Sequence, residues 1–355
     1  MLSSPAGRRN GRSLSPGCDK IACRKRTRKD AGTKELEDLA RAFSASRCLV
    51  TGGAGFIGSN LARVLLAAGC EVTVVDDFST GKREHLPVAD RLTVVAGDLC
   101  TLPELAELVA RSDYVFHLAA QVGNVRSLAE TERDAATNVL GSVRLLCACR
   151  NAGVRRIVYS SSSATFGEAQ RLPIDEAHPQ SPASFYALSK LTAERYACLA
   201  AELWGVPAVS LRYFNVFGLP MEDSEYTGVI SIFFNRLWAG QPLVIYGDGD
   251  QFRDFIHVGD VVQANLLAAL HGRPGGVYNI GTGVATTVRD LAEAMIEVTG
   301  RSAEIVHREP RAGEVSKSVA DTSRARDELG YRPRFDLRRG LTEMWLSFAD
   351  RGRGV

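Results

Sequence analysis

A chain of 355 residues exceeds what one hydrophobic core ordinarily serves, ~250–300 residues, so two packed lobes are expected. Its 45% apolar and 24% charged residues are those of a globular protein, and no run approaches the ~20 apolar residues of a membrane span. The net charge of +2 conceals a division: residues 1–34 hold 10 Lys or Arg against 2 Asp or Glu, which leaves the remainder at about −6.

Residues 1–44 read as a basic tail. Their early Gly, Ser and Pro content and scarcity of large apolar side chains predict disorder. The run Arg24-Lys25-Arg26-Thr27-Arg28-Lys29 has the makings of a nucleic-acid contact or an address. A solvated extension explains it more simply, and no nucleic-acid partner is expected. An apolar h-region is missing, so no secretory signal is expected either. Eight cysteines (Cys18, Cys23, Cys48, Cys70, Cys100, Cys147, Cys149, Cys198) stand without CxxC pairs. That pattern argues against a metal site and a disulfide framework and points to a reducing cytoplasm. Cys147 and Cys149 are expected as buried fillers of one helix.

From residue 46 apolar strands alternate with helical periodicities. A strand at 48–50 runs into Thr51-Gly52-Gly53-Ala54-Gly55-Phe56-Ile57-Gly58, which opens a helix at 57–68. Glycines at 52, 55 and 58 permit a tight turn, approach of backbone N–H groups to a pyrophosphate, and close helix–strand packing. Gly52, Gly55, Phe56, Ile57 and Gly58 are therefore candidate dinucleotide contacts. The next strand, 71–76, ends on Asp76, 18 residues after Gly58. A carboxylate there suits ribose hydroxyls and repels a 2′-phosphate, which selects NAD over NADP. Strand 92–96 delivers Asp98 and Leu99 to the adenine end. Strand 114–118 delivers Ala119, Ala120 and Gln121 to the nicotinamide end.

A helix at 136–152 and a strand at 156–160 follow, the latter leading to the Ser-rich segment that holds Ser162. In the helix at 184–203, Tyr186 and Lys190 are spaced i, i+4 and share a face. A tyrosine of pKa near ~10 is a poor base at neutral pH, and a neighbouring ammonium favours its phenolate. Ser162 could donate to a reacting substrate oxygen and relay its proton. A strand at 206–212 completes the alternation, with Gly69, Gly153 and Gly205 placed as helix stops. After Asn215 come a turn-rich loop (219–228), helices at 229–239 and 258–270, strands at 243–246 and 277–280, and helices at 287–299 and 337–349. The expected fold is α/β, a doubly wound parallel (Rossmann) sheet with a smaller α/β substrate lobe. The expected division places 45–214 and 240–275 in the dinucleotide domain, with 215–239 and 276–355 in the lobe.

The segments TGGAGFIGSNL (51–61), VVDDFSTGKREHL (74–86), FHLAAQ (116–121), YSSSSATFGE (159–168), YALSK (186–190), RYFNVFG (212–218), GDGDQFRDFIHVGDVV (247–262), YNIGTG (278–283) and EPRAGEVSKSVAD (309–321) follow one another in order. In this the chain resembles the extended short-chain dehydrogenases/reductases, within the NAD-dependent nucleotide-sugar epimerase/dehydratase family, and in particular its UDP-glucose and UDP-N-acetylglucosamine 4-epimerases. The resemblance spans residues 46–350. It implies that Tyr186 deprotonates a sugar hydroxyl as hydride passes to the nicotinamide, that Lys190 also holds the nicotinamide ribose, and that Ser162 bridges to the reacting oxygen. It further implies that Arg253 and Arg311 clamp a diphosphate, that Asn215 touches it, and that Glu314 takes a ribose hydroxyl.

Dehydratases of this kind resemble Thr-Asp-Glu after the strand, and decarboxylases Thr-Ser-Glu. Here Ser163-Ala164 follows Ser162, with no carboxylate for an elimination, which points to a 4-epimerase acting through a transient 4-keto sugar. The alternative is another reaction of the same family: 4,6-dehydration, decarboxylation or 2-epimerisation. Ser318, seven residues after Arg311, is small where a bulky residue would narrow the sugar pocket, so UDP-GlcNAc/UDP-GalNAc stands beside UDP-Glc/UDP-Gal. The loop Val122-Gly123-Asn124-Val125-Arg126-Ser127 departs from the usual run of galactose epimerases. The family also implies a homodimer, formed by helices near 131–152 and 184–203 packed as a four-helix bundle.

Overall fold

The computed structural model describes residues 31–220, 228–310 and 315–351. In chain order the strands are β1 (Arg47–Thr51), β2 (Glu71–Asp76), β3 (Leu92–Ala96), β4 (Tyr114–His117), β5 (Arg156–Ser162), β6 (Ala208–Tyr213), β7 (Asn215–Phe217), β8 (Leu243–Tyr246), β9 (Phe252–Arg253), β10 (Phe255–His257), β11 (Val277–Ile280), β12 (Thr286–Thr287) and β13 (Ile305–Arg308). The helices are α1 (Ala31–Ala40), α2 (Phe56–Ala67), α3 (Leu105–Ala110), α4 (Asn124–Ala129), α5 (Thr131–Ala135), α6 (Gly141–Cys149), α7 (Phe185–Trp204), α8 (Val229–Trp238), α9 (Val258–His271), α10 (Val288–Thr299) and α11 (Leu337–Arg351). Among them none is long and apolar enough to cross a membrane.

Seven strands form one parallel sheet in the order β11-β6-β5-β4-β1-β2-β3. Because both faces are covered, the strands read as apolar runs rather than as alternations. Cys48 and Val50 of β1 face one core layer, with Val74, Phe116, Val158 and Leu211, while Leu49 faces the other, with Val75, Val115, Ile157 and Ala208. The strand order reverses between β1 and β4, which pair in parallel with Thr51 opposite His117. Open α/β sheets bind ligands at such a reversal, beyond the carboxyl ends of the strands. A second apolar cluster, built on Phe233, Phe234, Leu243, Ile245, Leu291, Met295 and Leu341, forms the smaller lobe.

The structure corrects four expectations. First, the lobe boundaries shift. β8 pairs with β13 inside the lobe, and β11 is an edge strand of the main sheet. Ala325, Leu329 and Tyr331 also pack under that sheet. Short apolar runs carry no signal of which strand they pair with. Second, the tail does not extend to residue 44. Leu36, Leu39, Ala40 and Phe43, spaced as one helical face, pack on the main core, and the Phe43 and Tyr114 rings meet edge-on at 4.9 Å. Averaging composition over the basic stretch hid that face; residues 1–30, with Cys18 and Cys23, lie outside the described residues. Third, Cys149 is buried but Cys147 is exposed, as i, i+2 positions on a helix must point apart.

The helix expected at 136–152 is also built differently. It begins as α4 and α5, passes through a π-helical turn at Ala136–Leu140 and continues as α6. Such wide turns inside helices concentrate at functional sites, and this one lies against α7.

Candidate active site

One cavity of about 440 Å³ opens along the carboxyl ends of the strands. Fifteen of the expected residues line it: Gly52, Gly55, Phe56, Ile57, Gly58, Asp76, Asp98, Leu99, Ala119, Ala120, Gln121, Ser162, Tyr186, Lys190 and Asn215. They come from seven separate chain segments, so the tertiary fold alone brings them together.

At one end the glycine turn is packed too tightly for any side chain. Gly52 has φ +68°, and a Cβ on it would stand 2.5 Å from the amide nitrogen of Ala119. A Cβ on Gly58 would lie 2.2 Å from the carbonyl oxygen of Gly52. The turn therefore presses β1 against the end of β4 and draws α2 close. The first helical residues, Phe56 and Ile57, bring unpaired N–H groups to the cavity wall. Asp76 Oδ2 accepts from the amide of Ala54 at 2.8 Å and Oδ1 from that of Phe78 at 2.9 Å. Burial raises its pKa, and those two amides pull it back. Each oxygen keeps a lone pair for a ribose hydroxyl. At the far side Gln121 Oε1 is buried without a donor, an acceptor left for an N–H or O–H of the bound molecule. Bare glycine backbone, carboxylate and orphaned acceptor fit a dinucleotide such as NAD. Asp76→Asn is expected to narrow the preference for NAD over NADP by about tenfold, since one charge-assisted bond contributes ~1.5–3 kcal/mol. Titration of the two cofactors measures that ratio, and an unchanged ratio would count against the carboxylate.

Ser162 closes β5, and its Oγ accepts from the amide of Ala164 at 3.2 Å. Ser184 caps α7 by accepting from the amide of Ala187, and the left-handed Gly205 ends the helix. Tyr186 and Lys190 thus lie on the first two turns of a well-anchored helix. Lys190 is 2% exposed, with its ammonium 4.7 Å from the centre of the Tyr159 ring. Burial pushes Tyr186 up to about 12, against the pull of a side-chain hydrogen bond with Ser162. Burial also lowers Lys190 to about 7, against the fields of Asp134 and Glu194. In the chain alone burial therefore outweighs the expected help from lysine to tyrosine. A positive charge entering the cavity would move the tyrosine toward its phenolate.

Arg253 and Ser318, also expected at the site, lie elsewhere. Arg253, in β9, donates to the carbonyl oxygens of Phe252 (2.9 Å), Val315 and Ser316 and so fastens the segment after residue 314. Ser318 is buried beside the same strand, its amide donating to Phe252 O at 3.2 Å. Neither is among the residues lining the cavity. Arg311 and Glu314 lie outside the described residues.

Sequence reasoning also missed lining residues, among them Arg133, Thr137, Tyr213, Ile230 and Met344. It missed the buried polar hub of Asp134, Asn138 and Ser189 behind the cavity wall as well. The i, i+4 spacing of Asp134 and Asn138 was legible, but nothing in it marked that face as inward.

Comparison with known proteins agrees with this geometry. Residues 48–281 match the model of the NAD dependent epimerase/dehydratase family. A UDP-glucose 4-epimerase of Mycolicibacterium smegmatis is 38% identical over 303 residues, covering 84% of this chain and 96% of that protein. The structure of a UDP-N-acetylglucosamine 4-epimerase from Methanobrevibacter ruminantium, in complex with UDP-N-acetylmuramic acid, superposes with a TM-score of 0.83 at 35% identity, covering 87% of this chain and 99% of the other. A UDP-glucose 4-epimerase from Thermotoga maritima, with UDP-glucose, gives 0.82 at 37% identity, covering 86% and 99%. With its dinucleotide turn, its Ser162–Tyr186–Lys190 end and these similarities, the chain belongs to the NAD-dependent epimerase/dehydratase family of enzymes.

Proposed function

We propose that this enzyme is a nucleotide-sugar 4-epimerase acting on a UDP-linked hexose or N-acetylhexosamine. The observation that carries the reading is the placement of charge along the cavity. Its lining carboxylates among the described residues, Asp76, Asp77 and Asp98, stand at the ends of β2 and β3, while the Ser162–Tyr186 end is lined by hydroxyls, Gln121 and Lys190. A site arranged in this way can move a hydroxyl proton, but it offers no carboxyl pair to expel water. The names of the similar proteins support a UDP-sugar, and a UDP-N-acetylglucosamine 4-epimerase among them supports an N-acetylated one.

NAD, when bound, supplies the hydride acceptor and donor. Gly52, Gly55, Phe56, Ile57, Gly58, Asp76, Asp98, Leu99, Ala119, Ala120 and Gln121 would hold it. Tyr186 takes the proton from the sugar C4 hydroxyl as that carbon is oxidised, and returns it after the keto sugar has turned its other face. Ser162 holds the reacting oxygen through its hydroxyl, and Lys190 keeps positive charge beside the phenolate. Asn215 and Arg311 bind the diphosphate, Arg253 joins them on exchanging its carbonyl partners for phosphate oxygens, and Glu314 takes a ribose hydroxyl. The firm grip at the nucleotide and the loose one at the sugar permit the rotation.

Incubation with UDP-Glc, UDP-GlcNAc, UDP-GlcA and their dTDP and GDP counterparts tests this, with products resolved by mass and proton NMR. Unchanged mass with an inverted C4 proton is the expected result. Loss of water or carbon dioxide would transfer the protein to the dehydratases or decarboxylases.

A homodimer is part of the same proposal. Phe185, Leu188, Tyr196, Leu199 and Leu203 form one exposed stripe along α7, with exposed Leu140 on the neighbouring wide turn. A face of this kind normally meets a partner. Leu199→Glu combined with Leu203→Glu should convert a dimer to a monomer in light scattering; an unaltered mass would place the interface elsewhere.

A further inference from the structure

We propose that Asp134 is a positioning residue for Lys190: it supplies the buried negative charge that keeps the lysine protonated, and it ties the Tyr186/Lys190 helix to the wall at the nicotinamide end. This rests on the assignment of Tyr186 and Lys190 above.

Asp134 sits on α5, fully buried, just before the wide turn. Its donors are neutral. The Ser189 hydroxyl reaches both carboxylate oxygens at 2.9 Å, and Asn138 Nδ2 reaches Oδ2 at 2.7 Å. Ser189 lies on α7 between Tyr186 and Lys190. Asn138 is locked to the Gln121 backbone, its Oδ1 accepting from the amide at 2.8 Å and its Nδ2 donating to the carbonyl at 3.0 Å. The carboxylate therefore joins the helix of the proposed base to the cavity loop that carries Gln121. The wide turn is what aims Asn138 at both.

Neutral hydrogen bonds do not offset a buried charge; a counter-charge does. Lys190 is in the same position: among the described residues its ammonium has no hydrogen bond or ion pair, and the Tyr159 ring lies against it. Two carboxylates act on it, Asp134 and Glu194. Glu194 is already committed to Arg212, which grips both its oxygens at 2.7 and 2.8 Å. The negative charge left for Lys190 is that of Asp134.

The other groups facing Lys190 are Tyr186 and Glu194 from its own helix, His117 from β4, Tyr159 from β5 and, through Glu194, Arg212 from β6. Burial holds His117 neutral, with a pKa near 3, and raises Tyr159 well above its ordinary value. Around neutral pH the balance at Lys190 accordingly turns on Asp134. Removing its charge lowers the lysine pKa, so the proton leaves Lys190 at lower pH and the basic limb of the kcat profile moves down.

The experiment compares pH–kcat profiles of the NAD-loaded wild type, Asp134→Asn and Ser189→Ala, using the nucleotide sugar that the wild type turns over and Tyr186→Phe as reference. Asp134→Asn keeps the volume and an acceptor but loses the charge. Its basic limb is expected about one pH unit lower, with kcat about tenfold down above that limb, KM little changed and NAD retained. Ser189→Ala loosens the hub but leaves the charge, and its limb should stay with the wild type. A wild-type limb in Asp134→Asn, or an equal displacement in Ser189→Ala, overturns the proposal. If Asp134→Asn does not fold, Asp134→Glu serves instead: a lowered kcat on an unmoved limb supports the inference, and a moved limb overturns it. If Tyr186→Phe turns over normally, the assignment of the base has failed, which is a separate result.

Discussion

Tyr186→Phe should reduce turnover by roughly 10²–10⁴-fold, the range for a lost general acid–base group, while NAD stays bound. The substitution removes one oxygen and leaves the ring that α7 presents to the cavity. The glycine turn and Asp76, which carry the proposed hold on the other half of the cofactor, are untouched. What disappears is the group hydrogen-bonded to Ser162 and set beside Lys190. In the chain alone burial pushes that tyrosine up to about 12, so the proposed phenolate needs further stabilisation from what fills the cavity. Bringing a pKa of 12 to near neutrality requires about 7 kcal/mol of differential stabilisation, five pH units at ~1.4 kcal/mol each. The Lys190 ammonium and the positive charge of the oxidised cofactor act in that direction. Single-turnover kinetics, with cofactor content measured by absorbance after denaturation, separate a missing base from missing NAD. Wild-type rates in Tyr186→Phe would place the base elsewhere in the cavity.

Legibility in the sequence followed how local each constraint was. The turn at 51–58 is a local device, and its glycines, the strand before it and the helix after it were all readable. The same holds for Tyr186 and Lys190, whose i, i+4 spacing survives any tertiary arrangement. The apolar runs of β1, β2, β4, β5 and β6 named a sheet buried on both faces, because such strands have no polar side to show.

Non-local pairing was not legible. Nothing in 243–246 or 277–280 says that the first joins 305–308 in the lobe and the second closes the main sheet. Nor did periodicity show that the helix expected at 136–152 breaks into a wide turn. That break turns Asn138 inward, and an average helical pattern smooths over one extra residue. At the site, Arg253 illustrates the same limit: its residue type suits phosphate, yet its hydrogen bonds here run to the carbonyls of Phe252, Val315 and Ser316. Side-chain chemistry can be read from a sequence, but the competing partners cannot.

The deepest ion pair among the described residues gives the sharpest stability forecast. Glu194 of α7 is fully buried, and its oxygens take Arg212 Nε and Nη2 together with the Ser161 hydroxyl at 2.7 Å. Arg212 also donates to the carbonyl of Glu176 at 3.2 Å and lies 4.8 Å over the Phe166 ring. This pair thus pins α7, which carries Lys190, to β6 and to β5, which ends on Ser162. Arg212→Leu keeps apolar bulk but strands the carboxylate without a counter-charge, which costs about 3–5 kcal/mol and lowers the melting temperature by about 10 °C. The deficit should be larger at pH 8 than at pH 5, because a buried, unpaired carboxylate sheds its charge only by taking up a proton. Adding Glu194→Leu removes the stranded charge and should recover most of the loss. Calorimetric melts of the NAD-loaded proteins at both pH values decide the matter. A single variant as stable as the wild type would show that solvent or a neighbouring group reaches Glu194. A double variant no better than the single would assign the cost to lost packing around Phe166 rather than to charge.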